Sequence, residues 1–427
     1  MKKTISFYTL GCRSNQSETA VLENLCKERG FKIIPENQKS DIAVINTCTV
    51  TEKGDSDTRR LVNKICRTNA NVKIALIGCQ AQTQKEELKE FSNVQWVVGN
   101  AKKMTLPEII TDPENQKQKI LVTPIPSKPF TMPASGASAK RTRANIKIQD
   151  GCDSYCSYCE IPYARGNARS RKFDDIIKEA KLLGAFNHKE IVLTGINIGA
   201  YHFEKKMIND VIKKLLPVDG IERIRISSIE PNTIPHDLIL LMASNTKLCR
   251  YLHIPIQSAC DKILFSMKRR YTSADLDLFM QFAIQNVPEI CIGADVIVGF
   301  PGETDHFFEE TYEFFEQAPL AYFHTFSYSN RKFAKSKDFP NQIDKKTIAK
   351  RSKALRDLSD RKKKLFIEKF LGTRQKVLFE EQKNEMWTGL TDNYLRVFVS
   401  SSKDLRNQIC RVRLNSIKDN SLIGQLE

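Results

Sequence analysis

Cys152, Cys156 and Cys159 lie on one short polar stretch, with three and then two residues between them, directly after Gly151. Three thiolates so placed make a poor core pattern and can wrap one corner of a metal centre. A tetrahedral zinc site would want a fourth Cys or His nearby, and the nearest histidine in sequence is His188. Three ligands suit a four-iron cluster with one iron left open to an outside ligand. An open iron can chelate the amino and carboxylate groups of S-adenosylmethionine. An electron passed to the sulfonium would then break a carbon–sulfur bond and leave a 5′-deoxyadenosyl radical.

A second set is dispersed but regular. Cys12 ends the apolar run Ile5 to Leu10, Cys48 follows Ile42 to Ile45, and Cys79 follows Val72 to Ile77. In an open parallel sheet the ligand crevice lies at the carboxyl ends of the strands, so these three thiols are expected to converge there. Three converging thiols again point to a cluster with a free iron, with small core side chains or a redox dithiol as the alternatives. Cys26, Cys66, Cys249, Cys291 and Cys410 read as core or surface filler, while Cys260, in a polar loop, could touch the site. His253 sits in a strand-like run and is either a barrel-mouth residue or a structural histidine. Gly195 and Gly299, with their neighbours Asn197 and Gly302, mark turns after strands where backbone can approach an adenine or ribose.

The elements that must hold these residues follow from periodicity. Over the first 120 residues, strand-like runs alternate with helical spacing at Ser17 to Arg29 and Thr58 to Arg67, and a further strand is expected at Val94 to Val98. This rhythm predicts a small parallel α/β sheet domain. Residues 121–143 carry Pro124, Pro126, Pro129 and Pro133 and then Ser135-Gly136-Ala137-Ser138, which is linker chemistry. A second α/β series occupies 144–371, with strands expected at Ile146–Ile148, Glu190–Leu193, Arg223–Ile226, Leu252–Ile254, Ile292–Val298 and Tyr322–Ser327. About six βα units suit an open, partial barrel rather than a closed eight-fold one.

Residues 331–375 hold sixteen Lys and Arg against five Asp and Glu. Ile348, Leu355, Leu358, Leu365 and Phe366 recur there at helical spacing. The reading is a basic amphipathic helix, either a solvated face or a nucleic-acid surface. From Gly372 to residue 427, short β-type runs at Gln375–Glu380, Trp387–Leu390, Tyr394–Val399 and Ile409–Leu414 predict a small β-barrel.

Composition sets the outer bounds. The chain has 427 residues, 41% hydrophobic and 27% charged, which is globular composition and excludes wholesale disorder. A formal charge of +17 favours a polyanionic partner, nucleic acid first. No apolar run reaches the ~18–20 residues of a membrane span. Met1-Lys2-Lys3 and the run ending at Cys12 loosely resemble a lipoprotein signal, but the apolar stretch, Thr4 to Gly11, is at the short limit for one and reads better as a strand. Twelve cysteines, unevenly spaced, do not make a secreted disulfide scaffold, so a reducing cytoplasm is expected.

The loop of Cys152, Cys156 and Cys159 resembles the radical S-adenosylmethionine (SAM) superfamily. Together with Cys12, Cys48, Cys79 and the β-rich tail, it looks like the methylthiotransferases over nearly the whole chain. The resemblance implies an N-terminal cluster domain, a central partial (βα)6 radical-SAM barrel and a C-terminal TRAM barrel that binds RNA. It implies two 4Fe-4S clusters, one on Cys152, Cys156 and Cys159 and an auxiliary one on Cys12, Cys48 and Cys79. It further implies S-adenosylmethionine bordered by Gly195, Ser228, Gln257 and Gly299, and an electron donor such as flavodoxin or ferredoxin. The runs Asn46-Thr47-Cys48-Thr49-Val50-Thr51, Lys147 to Cys152 and Ile161 to Gly166 look most like the branch acting on N6-threonylcarbamoyladenosine, just 3′ of the tRNA anticodon. The product would be its 2-methylthio derivative. Isopentenyladenosine in tRNA and a ribosomal-protein aspartate are the alternative acceptors, and a non-catalytic iron–sulfur or zinc RNA-binding protein is the reading of a different class. Two places depart from the family pattern: acidic Glu160 after the third cysteine, and Tyr328 to Phe333, where Gly-Thr is expected after the arginine. Trp387, Tyr394 and Phe398 are candidates for base stacking, with barrel core as the alternative fate.

Overall fold

The computed structural model describes residues 2–115, 117, 119–134 and 142–427. They form two compact units that do not follow chain order. One takes Met1–Ser138, Lys147–Glu179 and Ser329–Lys337; the other takes Ala139–Ile146, Ala180–Tyr328 and Asp338–Glu427.

The first unit is built on a six-stranded parallel sheet. Across it the strands run Lys32–Ile33, Thr4–Thr9, Ile42–Thr47, Lys73–Gly78, Val94–Val98 and Lys119–Leu121. Ile42–Thr47 is buried at every position, as a central parallel strand covered on both faces must be. Its alternate residues feed two cores: Ile42 and Val44 join Ile5, Phe7, Leu22 and Trp96, while Ala43 and Ile45 join Val62, Ile74 and Leu76. The helix expected from Ser17 runs from Arg13 to Glu28, and the one expected from Thr58 runs from Glu52 to Thr68. The second is capped by the Thr51 side chain, which accepts from the Gly54 N–H. Lys119–Leu121, at the start of the expected linker, is an edge strand of this sheet. The Ser-Gly-Ala-Ser part of that linker lies outside the described residues.

In the second unit, the strand Arg143–Lys147, as far as Ile146, forms one sheet with the parallel strands Glu190–Thr194 and Arg223–Ile226, and the parallel strands Tyr251–Gln257, Cys291–Val298 and Tyr322–Ser327 form another. Single parallel bridges, Ile224 to Leu248 and Ser228 to His253, join the two into an arc of six strands. The basic helix is Lys345–Glu368, with Asp344 accepting from the Lys346 and Thr347 N–H groups at its start. Leu355 and Leu358 are buried as expected, but Leu365 is 61% exposed and Ile367 takes the core position instead. The tail is a closed five-stranded barrel: Arg374–Lys383, Met386–Thr391, Arg396–Ser400, Ser421–Leu426 and Ile409–Lys418 in order around it. The strand Ser421–Leu426 was not expected from the sequence, and Tyr394 sits in a left-handed turn (φ 71°) rather than in a strand. Among the described residues no helix is long and apolar enough to cross a membrane.

Candidate active site

Both cysteine triads belong to the first unit. Cys12 precedes helix Arg13–Glu28, Cys48 follows strand Ile42–Thr47, and Cys79 opens helix Cys79–Thr83 directly after strand Lys73–Gly78. Parallel register puts Thr9 beside Asn46 and Thr47 beside Gly78, so the three strands end level. Asn15 ties two of these ends together, donating to the Leu10 and Thr47 carbonyls at 2.7 and 3.0 Å. Gly11 is left-handed (φ 85°), and a Cβ there would fall 2.7 Å from Cys48 Cβ and 2.8 Å from its Sγ. Only glycine lets the first strand end pass this close to the second thiol. Burial pushes the Cys48 thiol up to about 12; Cys79 and Cys12 add to the rise, and Arg165 works against it.

The second triad is folded by its own backbone. The Cys159 N–H donates to the Cys156 carbonyl at 3.0 Å and the Cys152 N–H to the Gly166 carbonyl at 3.1 Å. The N–H groups of Ser154 and Ile161 point at Cys152 Sγ and Cys159 Sγ at 3.5 and 3.4 Å, and Asn100 Nδ2 lies 3.7 Å from Cys79 Sγ. Such N–H···S contacts suit thiolates that ligate a metal cluster. Among the described residues no three Cys, His, Asp or Glu side chains close around a single ion.

What the sequence did not announce is the ionic network between the triads. Glu18, almost wholly buried, pairs with Lys103 at 2.5 Å, Lys147 at 2.6 Å and Arg165 at 3.0 Å. Asp150 pairs with Lys147, Arg165 and Arg169 at 2.7, 2.8 and 3.1 Å. Two carboxylates thus face four cations, and positive charge is left over in a dry interior. Burial raises the Glu18 carboxyl, yet Arg165, Lys103 and Lys147 overcome it and hold the group well below the usual carboxylate range. Burial lowers Arg165, but Cys79, Glu18, Asp150 and Cys12 more than reverse this. The Nε of Arg165 is buried without an acceptor. Surplus cationic charge and an orphaned donor beside thiols fit an anionic, sulfur-ligated group. Lys147 and Asp150 could have been flagged as ionisable residues beside apolar Ile146 and Ile148; Glu18 and Lys103 gave no sign.

The two departures from the family pattern explain each other. Glu160, buried beside Cys159, accepts from Arg331 Nε at 3.3 Å, from Thr49 Oγ1 at 3.1 Å and from the Phe333 N–H at 3.0 Å. Arg331 also donates to Thr49 Oγ1 at 2.9 Å and pairs with Asp55 at 2.7 Å. The acidic residue and the unusual 328–333 segment are one clamp, and it joins the residue after Cys48 to the residue after Cys159.

The four expected SAM-bordering residues belong to the second unit and close its parallel strands. Gly195 follows Glu190–Thr194, Ser228 bridges His253, Gln257 ends its strand at φ 73°, and Gly299 follows Cys291–Val298. Gly299 has a packing role of its own, since a Cβ there would lie 2.3 Å from Ile348 of the basic helix. His253 Nε2 contacts Asp295 at 3.0 Å, and His188 Nδ1 contacts the Thr142 carbonyl at 3.4 Å. Cys260 is buried as the residue preceding helix Asp261–Ser266, and Cys26, Cys249 and Cys291 are core. Trp387 lies in the barrel core, so it presents no face for stacking. Tyr394 stacks on Tyr251 at 4.6 Å, under the guanidinium of Arg225, and Phe398 is half-buried.

Comparison with known proteins places these features. Residues 4–99 match the uncharacterized protein family UPF0004, and residues 146–315 match the radical SAM superfamily. The threonylcarbamoyladenosine tRNA methylthiotransferase MtaB of Bacillus subtilis (strain 168) is 35% identical over 423 residues, 96% of this chain and 93% of that protein. MtaB of Aquifex aeolicus (strain VF5) is 34% identical over 396 residues, 92% and 96% of the two chains. The tRNA-2-methylthio-N(6)-dimethylallyladenosine synthase of Wolbachia pipientis wMel is 31% identical over 435 residues, 99% of each. The fold is shared with the radical SAM methyltransferase TsrM from Kitasatospora setae, at TM-score 0.56 and 14% identity over 77% of this chain and 75% of that one. With identity spread along nearly its full length, the chain belongs to the radical SAM methylthiotransferase family, in its MtaB-like branch, and is a tRNA methylthiotransferase.

Proposed function

We propose that this protein inserts a methylthio group at C2 of N6-threonylcarbamoyladenosine, 3′ of the tRNA anticodon, giving the 2-methylthio derivative. The observation that carries the reading is the gathering of two complete cysteine triads in one compact unit, around a shared buried network of excess positive charge. The names of the relatives from Bacillus and Aquifex support the choice of acceptor. The Wolbachia relative keeps isopentenyl-type adenosine as the second reading.

Cys152, Cys156 and Cys159 would hold the 4Fe-4S cluster that the radical SAM family implies, and Cys12, Cys48 and Cys79 an auxiliary one. When bound, the first would supply the electron that cleaves S-adenosylmethionine and the second the sulfur that is methylated and inserted. The residues of the chain do the rest. Arg165 and Lys103 would offset the negative charge of the auxiliary site. The Glu160–Arg331–Thr49 clamp would keep the two thiol loops in fixed relation, so that a short-lived carbon radical forms with its sulfur source beside it. Gly195, Ser228, Gln257 and Gly299 would border S-adenosylmethionine at the strand ends. The electron would come from a small donor such as flavodoxin or ferredoxin, in the cytoplasm. We take the functional segments as 1–120, 144–371 and 372–427, joined by 121–143.

The test is nucleoside mass spectrometry of tRNA from cells with and without the gene. Loss of 2-methylthio-N6-threonylcarbamoyladenosine with accumulation of its precursor is expected. An unchanged level of that nucleoside would refute the acceptor.

A further inference from the structure

The aromatic residues singled out in the tail are not the exposed ones. Tyr155, Tyr163 and Phe333 are among those that are, at 43%, 41% and 37%. All three belong to the first unit, and they touch. Tyr163 stacks on Phe333 with ring centroids 5.3 Å apart and planes 21° apart, and it meets Tyr155 edge-on at 6.0 Å. Tyr155 lies between Cys152 and Cys156, and Tyr163 sits in the short helix Ile161–Arg165 after Cys159. Phe333 is fixed by the bond from its N–H to Glu160 Oε1 at 3.0 Å.

This arrangement is held open rather than merely left over. Tyr155 occupies a left-handed conformation (φ 45°), which bulky side chains rarely adopt, and its hydroxyl donates to Asn167 Oδ1 at 3.0 Å. Such a conformation persists where the surroundings enforce it, commonly at functional sites. The rim carries lysines. Lys332, paired with Glu87 at 3.3 Å, lies 6.0 Å from the Phe333 ring centre, and Lys335 and Lys337 are exposed on the same segment. The core of a protein–protein interface is depleted of lysine. Exposed π faces bordered by lysines are instead what unpaired nucleobases and their phosphates require.

We infer that Tyr155, Tyr163 and Phe333 form a stacking step for unpaired bases of the RNA loop, beside the cysteine loop on which the chemistry depends. The inference rests on the tRNA reading and deepens it. Bases flanking the modified adenosine would stack here, leaving that adenosine free to leave the loop.

The experiment uses the reconstituted full-length enzyme and a hairpin RNA of anticodon-loop sequence, with 2-aminopurine replacing a loop base. Tyr163→Leu and Phe333→Leu should each weaken hairpin binding by about five- to a hundred-fold and remove the stacking-induced fluorescence change. Tyr163→Phe should preserve both, and binding of a blunt RNA duplex should be unaffected by any of them. Iron content and thermal unfolding show whether each variant is intact, and Tyr155→Leu serves if another fails to assemble. Leucine variants that bind the hairpin like wild type, or that lose hairpin and duplex alike, would overturn the inference. If the unsubstituted enzyme modifies the hairpin while the leucine variants bind it normally, only the stacking step fails. If the unsubstituted enzyme neither binds nor modifies it, the tRNA reading fails too.

Discussion

Glu18→Gln is the most informative single change in the buried network. The substitution keeps size and removes one charge, leaving Lys103, Lys147 and Arg165 to share Asp150 and neutral partners. Lys103 suffers most, because its other contact is Asn46 Oδ1 at 3.5 Å. Burial already pulls the Lys103 ammonium down, and Glu18 is the main group opposing that. Removing one partner of a buried pair costs about 3–5 kcal/mol, against about 0–1 kcal/mol for an exposed pair. At roughly 2–4 °C per kcal/mol for a unit of this size, the melting temperature should fall by about 6–20 °C. The assay is thermal unfolding of the cluster-free chain, followed by circular dichroism from neutral pH downwards. The folded-state pKa of Glu18 is depressed, so its stabilisation is present above the unfolded value of about 4.3 and is lost as pH falls towards the folded one. The gap between wild type and variant should therefore be widest near neutrality and narrow in acid. The double variant Glu18→Gln/Lys103→Met should recover part of the loss, since it no longer buries a lone ammonium. A fall of less than about 4 °C at neutral pH, the range of an exposed pair, would refute the reasoning.

Cys156→Ala should abolish S-adenosylmethionine cleavage and product together, as measured by 5′-deoxyadenosine formation; persistent cleavage would contradict the assigned role. Cys48→Ala should spare cleavage yet stop methylthiolation, and undiminished product would make the N-terminal triad structural. Gly11→Ala places a Cβ against Cys48 in a left-handed backbone position, at about 1–2 kcal/mol for the conformation alone. Iron bound per chain should drop while the Cys152 loop stays loaded, a split that Mössbauer spectra would resolve. Arg225→Met breaks a fully buried pair with Glu190 and frees the Thr391 and Asp392 carbonyls, so the second unit should lose about 3–5 kcal/mol in urea unfolding.

Much of this molecule was legible because thiols and strand ends obey strong rules. Cys12, Cys48 and Cys79 each close an apolar run, and parallel register does place those ends level. The start of the first helix was not legible. Ser14 and Asn15 fall before the helix expected from Ser17, and polar Ser17 and Glu18 at its start give no sign of burial, yet all four are buried. The polarity of Asn15 and Glu18 serves the network around the thiols, and its partners lie as far along the chain as Arg165. Leu365 misled in the opposite sense, as an apolar residue in phase with the core stripe that faces solvent. The last barrel strand, Ser421–Leu426, was hidden by Gly424 and Gln425, which weaken β-propensity; pairing with both neighbours supplies what propensity does not.

The clamp on Glu160 also fixes a timetable. Its guanidinium partner, Arg331, is translated long after both cysteine triads, roughly 9–35 s after Cys159 at about 5–20 residues per second. A growing chain that ends between Glu179 and Ser329 already carries all six thiols, with Glu160 lacking its cation. Iron-delivery factors acting on nascent protein would therefore meet the cysteine loop in different surroundings from those in the finished chain. Ribosome pausing before the Arg331 codon lengthens the interval in which that loop is chemically complete and structurally unclosed.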